Sequence, residues 1–322
     1  MKINLQNTAF VFPGQGSQTI GMGKDLAAQY PIAKQTFEEA DSILGFHLSK
    51  TMWEGPDSDL NDTINTQPAL YLHSFAAFRV FSHLYPDLKP ASLAGHSLGE
   101  LSALAASGAL SFEEGLRLVR KRGELMKRAG ELAPGSMAAI LGVDIPTLDK
   151  VCAEASAPDE IVQVANDNCP GQVVISGAKP AVERAMIGAK SAGAKRALPL
   201  AVSIAAHSPL MASIQQEWND AVASANFSAP KLTVIGNVHA APLADEESAR
   251  ADIMAQMQSR VRWTESVKYM AANGVNTFVE VGTGTVLGGL IKRITDGVTT
   301  VSYTHLRAHE TDSYLVCRLL LE

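Results

Sequence analysis

Ala91-Ser92-Leu93-Ala94-Gly95-His96-Ser97-Leu98-Gly99-Glu100 sets a serine between two glycines where a short apolar run gives way to a helical one. Residues 91–94 read as a strand, and 100–107 as a helix with almost no polar face, since Leu101, Ala103, Leu104, Ala105 and Ala106 crowd it. A serine on such a strand-to-helix turn is a nucleophile elbow: its backbone is strained, and its hydroxyl is held out from a buried scaffold. The flanking glycines fit because a side chain at either position is expected to collide with the adjacent strand or helix. The pentapeptide alone suits either a catalytic elbow or a plain tight turn, so its surroundings decide.

Working outward, Thr8-Ala9-Phe10-Val11-Phe12 reads as a buried strand ending at the turn Pro13-Gly14-Gln15-Gly16, whose backbone donors are exposed. Helical stretches follow to about residue 85, with Pro68 placed where the first turn of a helix accepts it. Beyond the elbow, the pattern predicts a strand over 136–141, a helix over 145–155, strands over 161–165 and 172–176, a helix over 181–192 and a strand over 197–202. That β-α-β-β-α-β order is the ferredoxin-like arrangement. We therefore expect an α/β protein in which residues 131–203 form a small domain inserted into a larger one. The larger domain comprises 1–130 and 204–300, and its strands resume at 232–235 and 277–281.

The composition narrows the function classes. A chain of 322 residues with a net charge of −6 argues against nucleic acid as the main partner, while leaving room for a local basic patch that receives an acidic protein. No apolar run approaches a membrane span and the N-terminus lacks a signal-peptide pattern, so the reading is no membrane and a cytoplasmic location. Cys152, Cys169 and Cys317 have no metal-ligand spacing and are too few for a disulfide framework, so neither a structural metal nor redox chemistry is expected. From about Val301 the text changes character. Its first part resembles one reading frame of a sequencing-library adapter, so 301–322 is read as a non-native tail, the alternative being a genuine C-terminal helix. His305, His309 and Cys317 accordingly receive no functional role.

The segment from Phe112 to Ala129 contains an energetic anomaly. At about 100° per residue, Leu118, Val119, Leu125, Met126 and Ala129 form an apolar arc, with Arg122 near its middle. A guanidinium there is costly unless paired. Either an internal Asp or Glu neutralises it, or the face borders a cleft and the fork grips a ligand carboxylate. For a base beside Ser97, His207 in Ala205-Ala206-His207-Ser208-Pro209 is the best placed of eight histidines, although a structural hydrogen-bonding role suits it too. His96 adjoins the serine but should point away from it and shape the elbow. The backbone N–H of Leu98 and one from the Gly14-Gln15-Gly16 turn are the candidate oxyanion donors.

Six motifs then stand in register: Phe12-Pro13-Gly14-Gln15-Gly16-Ser17-Gln18, Asn65-Thr66-Gln67-Pro68-Ala69, Gly95-His96-Ser97-Leu98-Gly99-Glu100, Arg122-Gly123, Asn168-Cys169-Pro170-Gly171-Gln172 and His207-Ser208-Pro209-Leu210-Met211. Over about residues 8–295 the chain resembles the malonyl-CoA:acyl carrier protein transacylases. The resemblance implies an α/β-hydrolase-like large domain with a ferredoxin-like insert, and ping-pong transfer of malonyl from malonyl-CoA to the phosphopantetheine thiol of acyl carrier protein. It implies Ser97 as nucleophile, His207 as base, the Gln15 and Leu98 amides at the oxyanion and Arg122 on the malonyl carboxylate. Gln67, His96 and Asn168 fall in the substrate pocket. No permanently bound cofactor is implied, and the chain is expected to act as a monomer in fatty acid synthesis.

Two departures accompany the resemblance. The family orients its histidine with a backbone carbonyl near the segment matching Val261-Arg262-Trp263, where some members have glutamine, so Arg262 is taken as the orienting position. Ala205 and Ala206 are smaller than the residues usual before the histidine, which leaves methylmalonyl open as a substrate. Competing readings are a serine esterase or thioesterase, an acyltransferase domain of a polyketide synthase, and a non-catalytic carrier-binding module. For an acidic carrier protein, Arg117, Lys121 and Arg128, or Lys195 and Arg196, are the candidate docking cations.

Overall fold

The structure, a computed structural model, describes residues 5–87 and 89–302. It contains the two sheets expected from the sequence. Strands β1 (Thr8–Phe12), β2 (Ser92–Gly95), β7 (Val234–Ile235), β8 (Thr277–Glu280) and β9 (Thr299–Ser302) form a sheet of order β7-β2-β1-β8-β9, parallel throughout. All five residues of β1 are buried, as a parallel sheet covered on both faces requires. The turns after β1 and β2 leave from neighbouring carboxyl ends, where an open parallel sheet offers its crevice.

Strands β3 (Gly135–Leu141), β4 (Val162–Cys169), β5 (Gln172–Ala178) and β6 (Arg196–Pro199) form the second sheet, antiparallel, in the order β4-β5-β3-β6. Its period of two divides the work. Ala138, Ile140 and Ile175 pack on the helices Ile145–Ala155 and Lys179–Ser191, while the alternating Met137, Ala139 and Val174 face a cavity. The chain is thus α/β, with a ferredoxin-like insert beside a larger parallel-sheet unit.

Two local expectations need correction. The strand predicted over 197–202 ends at Pro199; Leu200 N–H still donates to the Met137 carbonyl at 2.9 Å, and Leu200 and Val202 line the cavity. Pro68 lies five residues inside the helix Thr63–Leu84, whose start is capped by the Asp62 carboxylate accepting from Ile64 N–H. The Ile64 carbonyl, which Pro68 cannot serve, accepts from Arg120 Nη1 at 3.3 Å. Val301 and Ser302, the first residues of the stretch read as a non-native tail, pair with Val279 and Glu280 as the last rungs of β9. The remainder of that tail, with His305, His309 and Cys317, lies outside the described residues. Among the described residues no helix is long and apolar enough to cross a membrane.

The elbow depends on close backbone approach. A Cβ on Gly99 would sit 2.1 Å from the Phe12 carbonyl oxygen, and one on Gly95 would sit 1.9 Å from the Gly99 carbonyl carbon. Neither neighbour is a flexible side-chain end. Gly99→Ala is therefore expected to destabilise the protein by about 1–3 kcal/mol through overpacking, read as a lower urea midpoint at unchanged slope.

Candidate active site

Ser97 occupies a strained turn, with φ 54° and ψ −107°, between β2 and the helix Leu98–Ala106. Two bonds to Asn237 hold it there: Ser97 N–H donates to Asn237 Oδ1 at 2.8 Å, and Asn237 Nδ2 donates to the Gly95 carbonyl at 2.7 Å. The hydroxyl meets His207 Nε2 at 2.7 Å. On the other side of the ring, Nδ1 lies 2.9 Å from the Gln256 carbonyl and 3.2 Å from that of Ser259. Carbonyls only accept, so Nδ1 carries the hydrogen and Nε2 presents its lone pair to the serine.

His207 itself has a left-handed backbone, φ 57°, and its carbonyl accepts from Gln163 Nε2 on β4 at 2.8 Å. Burial, reinforced by the nearby Arg122 charge, pushes the His207 pKa down from 6.5 to about 3.

Arg122 resolves the anomaly read from its helix, Phe112–Leu132. It is only 2% exposed, yet no Asp or Glu among the described residues forms an ion pair with it. Its partners are neutral: Nη1 donates to Gln67 Oε1 at 2.9 Å, and Nη2 to Gln256 Oε1 at 2.9 Å and Ser97 Oγ at 3.1 Å. Nε is buried without an acceptor. Desolvation lowers its pKa to about 10, so the guanidinium stays charged at neutral pH.

These groups border a cavity of about 340 Å³ between the two sheets. Ser97, Leu98, Gln15, Arg122 and His207 line one side, and Met137, Ala139, Val174, Leu200 and Val202 the other. Leu98 opens its helix, so its N–H has no intrahelical acceptor. His96 and Asn168 also line the cavity, joined by a 2.8 Å bond from His96 Nε2 to Asn168 Oδ1. Burial holds the His96 pKa below its ordinary value.

Two expected positions fall elsewhere. Gln67 is fully buried behind Arg122 and absent from the cavity wall; it orients the guanidinium. Arg262 does not orient His207. Its main-chain N–H donates to the Asn237 carbonyl and its side chain pairs with Glu265, because the helix ends before it and the carbonyls facing the imidazole belong to residues 256 and 259. Among the described residues there is no cluster of His, Cys, Asp and Glu able to hold a metal.

The acyl transferase domain family matches residues 9–307 of the chain. The malonyl CoA-acyl carrier protein transacylase of Escherichia coli (strain K12) is 47% identical over 291 residues, covering 90% of this chain and 94% of the relative. The chain belongs to the malonyl CoA-acyl carrier protein transacylase family. The Bacillus subtilis (strain 168) transacylase is 43% identical, with 92% of this chain and 93% of the relative covered. An acyl carrier protein S-malonyltransferase structure from Vibrio cholerae superimposes with a TM-score of 0.89 at 46% identity, covering 92% and 96%. A type II PKS acyl-carrier protein in complex with its malonyl-transacylase gives 0.88 at 42% identity, covering 92% and 95%.

Asn237, Gln256 and Asp252 escaped the sequence reading, and Glu100 entered it only as the end of the elbow motif, with no role. Asp252 and Gln256 share the buried face of the helix Glu246–Gln256 with Ala249 and Ile253, so the argument that singled out Arg122 applies to them equally. Asn237 follows a two-residue strand and carries no periodic signal.

The His207 ring is expected to remain neutral well below pH 6.5. Since an unfolded histidine binds its proton near 6.5, this residue lowers stability as the pH falls beneath that value. Nitrogen-15 NMR should find no His207 protonation step near 6.5 in the folded protein. Arg122→Ala should move the midpoint upward by removing the adjacent positive charge.

Proposed function

We propose that this chain transfers malonyl from malonyl-CoA to the phosphopantetheine thiol of acyl carrier protein through a malonyl ester on Ser97, supplying fatty acid elongation. The observation that carries this reading is Arg122: a buried, charged fork held only by neutral acceptors, 3.1 Å from the serine hydroxyl. A free carboxylate on the acyl group supplies the missing counter-charge, and acetyl leaves it missing. Discrimination against neutral acyl groups then draws on the cost of a buried unpaired charge, about 3–5 kcal/mol.

In the first half-reaction, His207 Nε2 takes the Ser97 hydroxyl proton as Oγ attacks the thioester carbonyl. The oxyanion lies against the N–H groups of Leu98 and Gln15. Collapse breaks the carbon–sulfur bond, and the imidazolium returns its proton to the departing CoA thiolate. In the second, His207 deprotonates the pantetheine thiol, which attacks the ester carbonyl. Ser97 Oγ leaves and is reprotonated. Serine, histidine and main-chain donors supply the whole reaction, so no resident cofactor is required. We take the chain to act as a monomer in the cytoplasm.

The proposal keeps the division of the chain into 1–130 with 204–300, bearing nucleophile, base and clamp, and 131–203, the opposite wall. Residues 301–322 remain assigned as a non-native tail.

The charge pattern favours one docking face. Arg117 pairs with Glu113, and Lys121 and Arg128 both pair with Glu217, so that helix face is largely neutralised. Lys195 and Arg196 form no ion pair among the described residues, and they lead into the cavity-lining Leu200. Charge reversal at both is expected to raise KM for the carrier protein while leaving acylation by malonyl-CoA unchanged.

Intact-protein mass spectrometry tests the reaction itself. Wild type should gain a malonyl adduct that discharges onto carrier protein faster than onto water. Ser97→Ala should gain none, and Arg122→Ala should lose the preference for malonyl-CoA over acetyl-CoA. A well-folded wild type with no adduct overturns the proposal.

A further inference from the structure

Beneath the elbow lie two carboxyl groups that the transfer chemistry does not use. Glu100, in the first turn after Ser97, is fully buried, and Asp252 is 3% exposed; the two are in hydrogen-bond contact. Neither forms an ion pair within 4 Å among the described residues. Asp252 has donors of its own, accepting from Asn237 N–H at 3.2 Å and from Val238 N–H at 3.3 Å. Glu100 Oε2 accepts from Gln256 Nε2 at 2.6 Å and the Asn237 N–H also bears on the carboxyl, whereas Glu100 Oε1 is buried with no hydrogen-bond partner among the described residues. Two carboxylates cannot occupy this site as bare anions, and a single hydrogen between them satisfies both oxygens.

The contact reaches the reacting groups through Gln256. Its Nε2 donates to Glu100 and to the Ser97 carbonyl at 3.0 Å, and its Oε1 accepts from Arg122 Nη2. Because Glu100 Oε2 and the Ser97 carbonyl only accept here, the amide has one orientation, and its oxygen must face the guanidinium.

We propose that Glu100 and Asp252 share one hydrogen as a positioning pair, which fixes the Gln256 amide and keeps the nearest carboxyl to Arg122 neutral, reserving the guanidinium for the carboxylate of the acyl group. This rests on the reading of Arg122 as a carboxylate clamp. Burial and the neighbouring carboxylate hold the Glu100 pKa well above its ordinary 4.5, in keeping with a neutral group. The charged or titratable side chains acting on the pair are Arg122 on the Glu100 side and His239 on the Asp252 side.

Two conservative variants separate this arrangement from simple packing. In Glu100→Gln the amide nitrogen donates to Asp252 and the oxygen still accepts from Gln256, so it should rescue what Glu100→Ala loses. In Asp252→Asn the new amide donates to Glu100, which then ionises and draws on Arg122. KM for malonyl-CoA should rise about tenfold or more, with the malonyl-over-acetyl preference reduced and kcat little changed.

A third readout needs no substrate. An unfolded Glu100 ionises above about pH 4.5 while the folded one keeps its hydrogen, so wild type should lose stability relative to Glu100→Gln as the pH rises from there, followed by urea unfolding. Glu100→Gln behaving as badly as Glu100→Ala, with Asp252→Asn harmless, overturns the pair. So does a stability difference that does not vary with pH. Failure of the clamp itself appears separately, as Arg122→Ala retaining wild-type selectivity.

Discussion

A positive charge with no negative partner organises this molecule. Placing Arg122 in the protein interior is unfavourable unless every donor finds an acceptor, and the acceptors around it are amide and hydroxyl oxygens from three separate parts of the chain: Gln67, Ser97 and Gln256. Neutral acceptors serve Nη1 and Nη2 without cancelling the charge, and Nε is left without an acceptor among the described residues. The helix Thr63–Leu84, the elbow and the helix Glu246–Gln256 must therefore meet at one point, beside the Ser97 hydroxyl, where the proposed reaction brings a substrate carboxylate.

The same convergence limits the serine and histidine. Both have positive φ, and each is kept there by side-chain amides reaching in from elsewhere: Asn237 for Ser97, Gln163 for the His207 carbonyl. Among the described residues no carboxylate stands behind the imidazole. Two carbonyls fix its tautomer without adding negative charge, and with Arg122 nearby the ring stays a weak base. That suits the proposed reaction, in which an ester on Ser97 must wait for a thiol, since a strongly basic imidazole activates water as readily.

Much of this was legible in the sequence where a residue contradicts its surroundings. Ser97 between glycines, Arg122 on an apolar arc and the β-α-β-β-α-β order of the insert each follow from periodicity and turn chemistry. The orienting carbonyl did not follow. Every residue has a carbonyl, so the choice among positions 256 to 262 turns on where a helix ends, which composition does not fix. Pro68 misled for a related reason: its cost inside a helix is offset by Arg120 capturing the freed Ile64 carbonyl, a contact 56 residues distant in sequence. Gln256 and Asp252 stood on a buried face like Arg122, but on a helix whose other residues give it little contrast.

Gln163 reaches out of β4 to hold both the His207 and Gln258 carbonyls, at 2.8 and 2.9 Å. The inserted sheet is thus joined to the catalytic loops by more than surface contact. Chimeras that graft another acyltransferase's insert onto this scaffold to change acyl-chain preference would replace the cavity wall and the support of the histidine backbone in one operation. Such grafts have to match an amide donor at this position before the new wall can be judged on its shape.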